Sequence, residues 1–135
     1  MEEKKVFLDG TENGSTWREE LIKQLKIAYF DPSGKERSRR TLREEEEQKA
    51  ASDFCLYVIT PLMDDFENVS ELVDDSNKFP ERTVFCYLEQ DGETQFNKHQ
   101  LKSLKAVGQM VEANGATWLP DLEAVITYFN AQATA

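Results

Sequence analysis

The sequence is poor in the residues that build metal sites and disulfide frameworks. It has one histidine, His99, and two cysteines, Cys55 and Cys86, among 135 residues. Each cysteine lies inside an apolar run, which predicts two buried free thiols. Two isolated cysteines are too few for a zinc site, and we expect no metal.

Long apolar runs are missing as well. No stretch approaches the roughly 18 residues that cross a bilayer. The charged start, Met1 to Lys5, is not followed by the apolar core of a signal peptide. We therefore expect a cytoplasmic protein without a membrane partner.

Positive charge is scarce: 16 lysines and arginines stand against 26 aspartates and glutamates, for a net charge of -10. Such a field repels phosphate backbones and argues against duplex nucleic acid as a partner. A small anionic ligand is still compatible with it, because a local loop can hold a phosphate against the global field.

What the sequence does contain is a regular alternation of short apolar runs and helical periodicity. Its length fits one domain, 1–135. Asp53 to Thr60 and Arg82 to Leu88 are apolar without alternation, which indicates strands covered on both faces of a parallel sheet. The pattern predicts a flavodoxin-like three-layer α/β sandwich with a five-stranded parallel sheet of order 2-1-3-4-5. Thr16 and Glu19 predict a capping box at the first helix.

Ligands of such sheets bind beyond the carboxyl ends of the strands, where the strand order reverses. Here that point lies between the loops Asp9 to Ser15 and Thr60 to Glu67. The first loop has turn residues next to a helix start, which suits a phosphate or sugar hydroxyls; the alternative is that they only turn the chain. The candidate binding residues in and around these loops are Phe7, Asp9, Gly10, Thr11, Ser15, Trp17 and Asp64.

The second loop brings four carboxylates close together: Asp64, Asp65, Glu67 and Glu71. Acidic residues at a helix start are stabilised by the helix dipole, which is the plain explanation. The chemical alternative is a nucleophilic carboxylate beside one that passes a proton.

Two further features have a structural and a functional interpretation. Phe7 and Trp17 could stack on a base or pack in the core. The basic cluster Arg37 to Arg43 could meet a phosphate or form a solvated helix face paired with Glu44 to Glu47.

Three segments of the chain together resemble the nucleoside 2-deoxyribosyltransferase-like proteins. They are Val6-Phe7-Leu8-Asp9-Gly10-Thr11 with Asn13 to Arg18, Ser52-Asp53-Phe54-Cys55-Leu56-Tyr57-Val58-Ile59-Thr60-Pro61, and Ser70-Glu71-Leu72-Val73-Asp74-Asp75-Ser76-Asn77-Lys78. The run His99 to Leu104 fits the same group, and the match is to a small, divergent branch. The resemblance implies cleavage or transfer at the N-glycosidic bond of a 2-deoxynucleoside or nucleotide.

The same resemblance implies roles for individual residues. Glu71 would be the nucleophile and Asp65 would serve the leaving base, with Glu45 as a further carboxylate in loose register. No metal or organic cofactor is implied, and family enzymes are oligomeric, so we expect at least a dimer.

This chain also departs from the family. Phe7 stands where a tyrosine often lies near the nucleophile, and Asp9 stands in a turn that is usually Gly-Gly-Thr-like. These changes leave two other functions open: a module that binds a nucleotide without turnover, and a protein-interaction domain that uses its acidic surface.

Overall fold

The computed structural model describes residues 3–33 and 39–133. The central sheet contains β1 (Lys5–Gly10), β2 (Ala28–Phe30), β3 (Phe54–Ile59), β4 (Thr83–Tyr87) and β7 (Thr117–Trp118). The helices are α1 (Trp17–Ile22), α2 (Arg39–Ala51), α3 (Glu67–Lys78), α4 (Lys98–Ala113) and α5 (Leu122–Ala133).

All neighbouring strands of the sheet are parallel, in the order β2-β1-β3-β4-β7. This confirms the predicted α/β fold and strand order. The central strand β3 is buried along its whole length, as its continuous apolar run predicted. Its register pairs Asp9 with Tyr57 across the β1–β3 ladder, which places both residues near the carboxyl edge.

Each face of the sheet packs against its own helices. One core cluster joins Leu56 and Val58 of β3 to α1 and α5, through residues such as Leu21 and Phe129. The other joins Tyr57 and Ile59 to α3 and α4. Lys49 of α2 contacts Tyr57 and Asp75, so α2 lies beside α3 on this second face.

Several details differ from the sequence-based expectations. The predicted capping box at Thr16 is wrong: in the described structure the Thr16 side chain makes no capping hydrogen bond. A box forms instead at Asn97, whose side chain accepts from Gln100 N while the Gln100 side chain accepts from Asn97 N. Helix α5 continues to Ala133.

A small antiparallel hairpin is formed by β5 (Gln90–Asp91) and β6 (Thr94–Gln95). Cys55 and Cys86 are buried free thiols, as predicted. Among the described helices, none combines the length and apolar character needed to cross a membrane.

Candidate functional site

The site is built on the turn that follows β1. Gly10 has a φ of 126° and lies directly against Val58 of β3. Thr11 N donates to Val58 O at 2.9 Å, and Thr11 Oγ1 accepts from Thr60 N at 3.0 Å. These contacts tie the turn to the end of β3 and turn the buried Thr11 side chain toward Thr60. Asp9 is therefore held at a fixed position on the sheet edge.

A buried arginine supports the same turn from below. The Arg18 guanidinium donates to the carbonyl oxygens of Leu8, Gly10 and Thr11 at 3.2, 3.2 and 2.9 Å. Trp17 Nε1 also donates to Thr11 O, at 2.8 Å. With only 2% of its surface exposed, Trp17 packs in the core, and its ring cannot stack on a base in this conformation.

Polar contacts also join the loops at the point where the strand order reverses. Asn13 Nδ2 donates to Leu62 O at 2.8 Å, which joins the two loops predicted to flank a ligand. Ser15 Oγ donates to Asp91 Oδ2 at 2.5 Å, on the β5–β6 hairpin. The Ser15 hydroxyl is therefore used within the protein, and the open cleft lies further along, between α2 and α3.

This cleft has a volume of about 330 Å³. Its floor and apolar wall include Phe7, which stacks on Phe30 with ring centroids 5.6 Å apart, and Leu42. The rest of the lining is strongly acidic. Its carboxylates come from Asp9, Glu12, Glu45, Glu46, Glu67 and Glu71.

Among the described residues of the cleft lining, Lys49 is the one cation. Its Nζ lies 3.7 Å from Glu71 Oε2 and 3.8 Å from Asp9 Oδ2. It is closer to the floor: 3.0 Å from Asp75 Oδ2 and 2.7 Å from Tyr57 OH, to which it donates. Tyr57 OH in turn donates to Asp75 Oδ2. One ammonium therefore faces three carboxylates.

Burial changes the acidity of these groups. Burial, followed by the charge of Asp9, raises the pKa of Glu71 to about 7. Burial also raises the pKa of Asp9, and Lys49 opposes that shift. Burial disfavours the charge of Lys49, yet the anionic groups around it, Asp75 and Asp9 among them, raise its pKa to about 12. The Lys49 amine therefore stays protonated, whereas Glu71 can exchange a proton near neutral pH.

The beginning of α3 separates the predicted acids. Asp64 and Asp65 are exposed and line a different cavity, of about 400 Å³, between α3 and α4. Asp65 Oδ1 accepts from Glu67 N at 3.0 Å, a local contact typical of a helix start. His99 lies in that second cavity too. The structure thus groups Glu71 with Asp9 and Glu45, and places Asp64 and Asp65 elsewhere.

The basic cluster, Arg37 to Arg43, lies partly outside the residues that the structure describes. Arg37 and the side chains of Arg39 and Arg40 lie outside the described residues. Arg43 is exposed on α2. The phosphate-binding role considered for this cluster stays a prediction.

Sequence reasoning missed three residues of the site: Lys49, Tyr57 and Asp75. Tyr57 was hidden in a strand predicted to be buried, and Lys49 follows a run of four glutamates. Asp75 lies one helical turn after Glu71, on the same face. The spacing of Glu71 and Asp75 was the one signal that could have been found.

Comparison of the chain with protein-family models, with curated proteins and with solved structures finds no match in any of the three. The function is therefore argued from the site. Within the described residues, no group of three or more histidine, cysteine, aspartate or glutamate side chains is arranged to hold a metal ion.

Proposed function

We propose that the chain cleaves, or transfers across, the N-glycosidic bond of a 2-deoxynucleoside or nucleotide, with Glu71 as the nucleophile. The observation that carries this proposal is the pairing of Glu71 with Asp9 around one ammonium, in a cleft with an apolar wall. The resemblance of the chain to nucleoside 2-deoxyribosyltransferase-like proteins supports the same chemistry.

The two carboxylates suit the steps of this reaction. The ionised Glu71 carboxylate attacks the anomeric carbon, the C–N bond breaks, and the departing base takes its electron pair and a proton. Water or a second base then attacks the same carbon, gives its proton to the carboxylate that served the leaving base, and releases Glu71. The contacts with Lys49 place the Glu71 and Asp9 oxygens no more than about 7.5 Å apart, the sum of the two distances, a limit that allows the separation of roughly 5–5.5 Å found when one carboxylate of the pair is a nucleophile.

In this proposal Asp9 is the group that holds a proton for the leaving base. Burial raises the pKa of both carboxylates, and neighbouring carboxylates titrate as a pair, so a proton held on Glu71 near neutral pH can pass to Asp9 and leave Glu71 ionised. Asp65, to which the resemblance gives this role, faces the cavity between α3 and α4. Its role stays a prediction that a variant can test beside Asp9.

The charge of the cleft favours an uncharged substrate. Its described lining residues include six carboxylates and one ammonium, and this excess of negative charge among them repels a 5′-phosphate. We therefore expect 2-deoxynucleosides to be better substrates than their monophosphates.

The test is to incubate the protein with 2-deoxynucleosides and their monophosphates and to measure free base by chromatography. Glu71→Ala should lower the rate at least about 10³-fold, and Asp9→Asn by about 10²- to 10⁴-fold. Glu67→Gln, which removes a charge from the same cleft and helix, is the matched control and should change the rate less than about 10-fold. Base release that survives Glu71→Ala undiminished would rule out the mechanism.

A module that binds nucleosides without turnover is the second candidate. It is favoured by Phe7, which lines the cleft at a position where the resembling enzymes often have a tyrosine near the nucleophile. Nucleoside binding measured by calorimetry, with no base release across pH 6 to 9, would support this function over catalysis. Assembly into at least a dimer also stays a prediction, which sedimentation analysis can test.

A further inference from the structure

Lys49 is held from the floor of the cleft by a closed set of three polar contacts. Its Nζ donates to Tyr57 OH and pairs with Asp75, and Tyr57 OH donates to Asp75. These side chains come from three different elements, α2, β3 and α3. Tyr57 is completely buried, so the packing around its ring restrains the position of its hydroxyl.

The contacts of Lys49 differ in length between the floor and the cleft. On the floor side they measure 2.7 and 3.0 Å, which are hydrogen-bonding distances. On the cleft side they measure 3.7 and 3.8 Å, which are too long for hydrogen bonds but short enough for strong Coulomb attraction. Glu71 and Asp9 are therefore attracted by the cation without being hydrogen-bonded to it.

This asymmetry has a chemical use. An ammonium with its hydrogen bonds directed at the floor lowers the repulsion between two carboxylates, and it leaves their oxygens available to a ligand. A free lysine would instead bond one carboxylate directly and block it. Replacing a buried ionic set by packed apolar residues is often neutral or stabilising, so stability alone is a weak explanation for this partly buried one.

We infer that Lys49, clamped by Tyr57 and Asp75, is a positioning residue that keeps Glu71 and Asp9 paired and Glu71 free to react. Its part in turnover rests on the glycosidic reaction proposed above. The clamp itself is a property of the free protein and can be measured there.

Several charged groups lie around Glu71, and four of them, Asp9, Lys49, Glu67 and Asp75, shift its pKa. They come from every element around the cleft: Asp9 of β1, Glu12 of the following loop, Glu45, Glu46 and Lys49 of α2, and Glu67 and Asp75 of α3. Of these, only Lys49 opposes protonation of Glu71. Removing the charge of Lys49 should therefore raise the pKa of Glu71.

The first measurement is the carboxyl ¹³C NMR titration of Glu71 in the whole protein. In Lys49→Met the midpoint should rise by about one pH unit or more, while Lys49→Arg should stay near the wild type. Lys78→Met is the matched control: Lys78 pairs with Asp74 on the exposed side of α3. It removes the same net charge and should move the midpoint by less than about 0.3 pH units.

Tyr57→Phe tests the clamp separately from the charge. It keeps the ammonium and the ring but removes the floor hydroxyl, so Asp75 alone holds Lys49 on the floor and the N–H that Tyr57 accepted is free to hydrogen-bond Glu71. The midpoint should then fall below that of the wild type, opposite to the change in Lys49→Met. In an active protein kcat should fall about 10-fold with little change in KM, because the carboxylate is blocked more than binding is weakened.

Circular dichroism establishes that each variant is folded, and Tyr57→Phe decides the question if Lys49→Met does not fold. An unchanged Glu71 midpoint in folded Lys49→Met, or an equal change in Lys78→Met, would overturn the clamp. Tyr57→Phe shifting the midpoint upward would also overturn it. If the titrations agree but the wild type releases no base, the proposed function fails and the clamp stands.

Discussion

Gly10 is the residue on which the position of Asp9 depends most directly. Its φ of 126° suits glycine, and a Cβ built there would lie 2.1 Å from Val58 O and 2.7 Å from Val58 N. A side chain at this position would separate β1 from β3 where Asp9 enters the cleft. The sequence showed a turn residue here, but only the structure shows that backbone packing requires it.

We expect Gly10→Ala to lower the free energy of unfolding by about 3 kcal/mol or more, because backbone strain and a clash act together. Gly14→Ala is the control, since Gly14 also has a positive φ, 81°, but no described atom of the packing lies within 4 Å of its Cβ position. It should cost only about 1 kcal/mol. Urea denaturation measures both, and equal losses would contradict the role of packing.

Glu71 should make stability depend on pH. Its pKa rises from an ordinary value near 4.5 to about 7 in the folded protein, so between these values the folded state holds more protons than the unfolded state. Stability therefore falls as pH rises through this window. Glu71→Gln should stabilise the protein at pH 8 by about 1 kcal/mol, a figure reduced for its partial exposure, and much less at pH 4.5.

Thermal melting at the two pH values checks this prediction. Glu112→Gln, on the exposed surface of α4, is the control and should change stability about equally at both. A Glu71→Gln variant that melts like the wild type at pH 8 would contradict the burial of this carboxylate.

At the level of elements, two helix starts show where sequence patterns succeed and fail. Thr16-x-x-Glu19 and Asn97-x-x-Gln100 both fit a capping box, yet only the second forms one. The six-residue α1 is anchored by Trp17 and Arg18, whose side chains bond to the turn after β1. Such tertiary contacts override a local signal, and a single sequence does not reveal them.

Asn97→Ala should lower the free energy of unfolding by about 1 kcal/mol, because the first turn of α4 loses a capping acceptor. Thr16→Ala removes a similar polar side chain that makes no capping bond within the described structure. It should cost less than about 0.5 kcal/mol. Chemical denaturation that ranks Thr16→Ala as the more damaging variant would contradict the observed caps.

Across the elements, the parallel sheet and its order followed from buried strands such as β3 alternating with helices. Asp9 could be predicted from the point where the strand order reverses, and Glu71 as the nucleophile candidate from the resemblance. Lys49 and Tyr57 did not, because a lysine in a charged helix and a tyrosine in an apolar strand are both ordinary residues. Their role arises only from the approach of α2 to β3 and α3.

At the level of the whole molecule, repulsion between negative charges destabilises the compact folded state. The net charge of -10 is spread over 135 residues, and carboxylates are concentrated at the cleft. Repulsion among them destabilises the folded state at neutral pH and is screened by salt. This field should therefore appear as a salt-dependent melting temperature.

We expect the melting temperature at pH 7.5 to rise by about 4 °C between 0.02 and 0.3 M sodium chloride, equivalent to roughly 1 kcal/mol. The rise should nearly vanish at pH 4.6, the isoelectric point expected from the sequence, because the net repulsion is then absent. Lys49→Met, which leaves the cleft without its ammonium, should show a larger rise at pH 7.5 than Lys78→Met. A decrease in melting temperature with salt would mean that attractive pairs, and not repulsion, dominate the electrostatics of this fold.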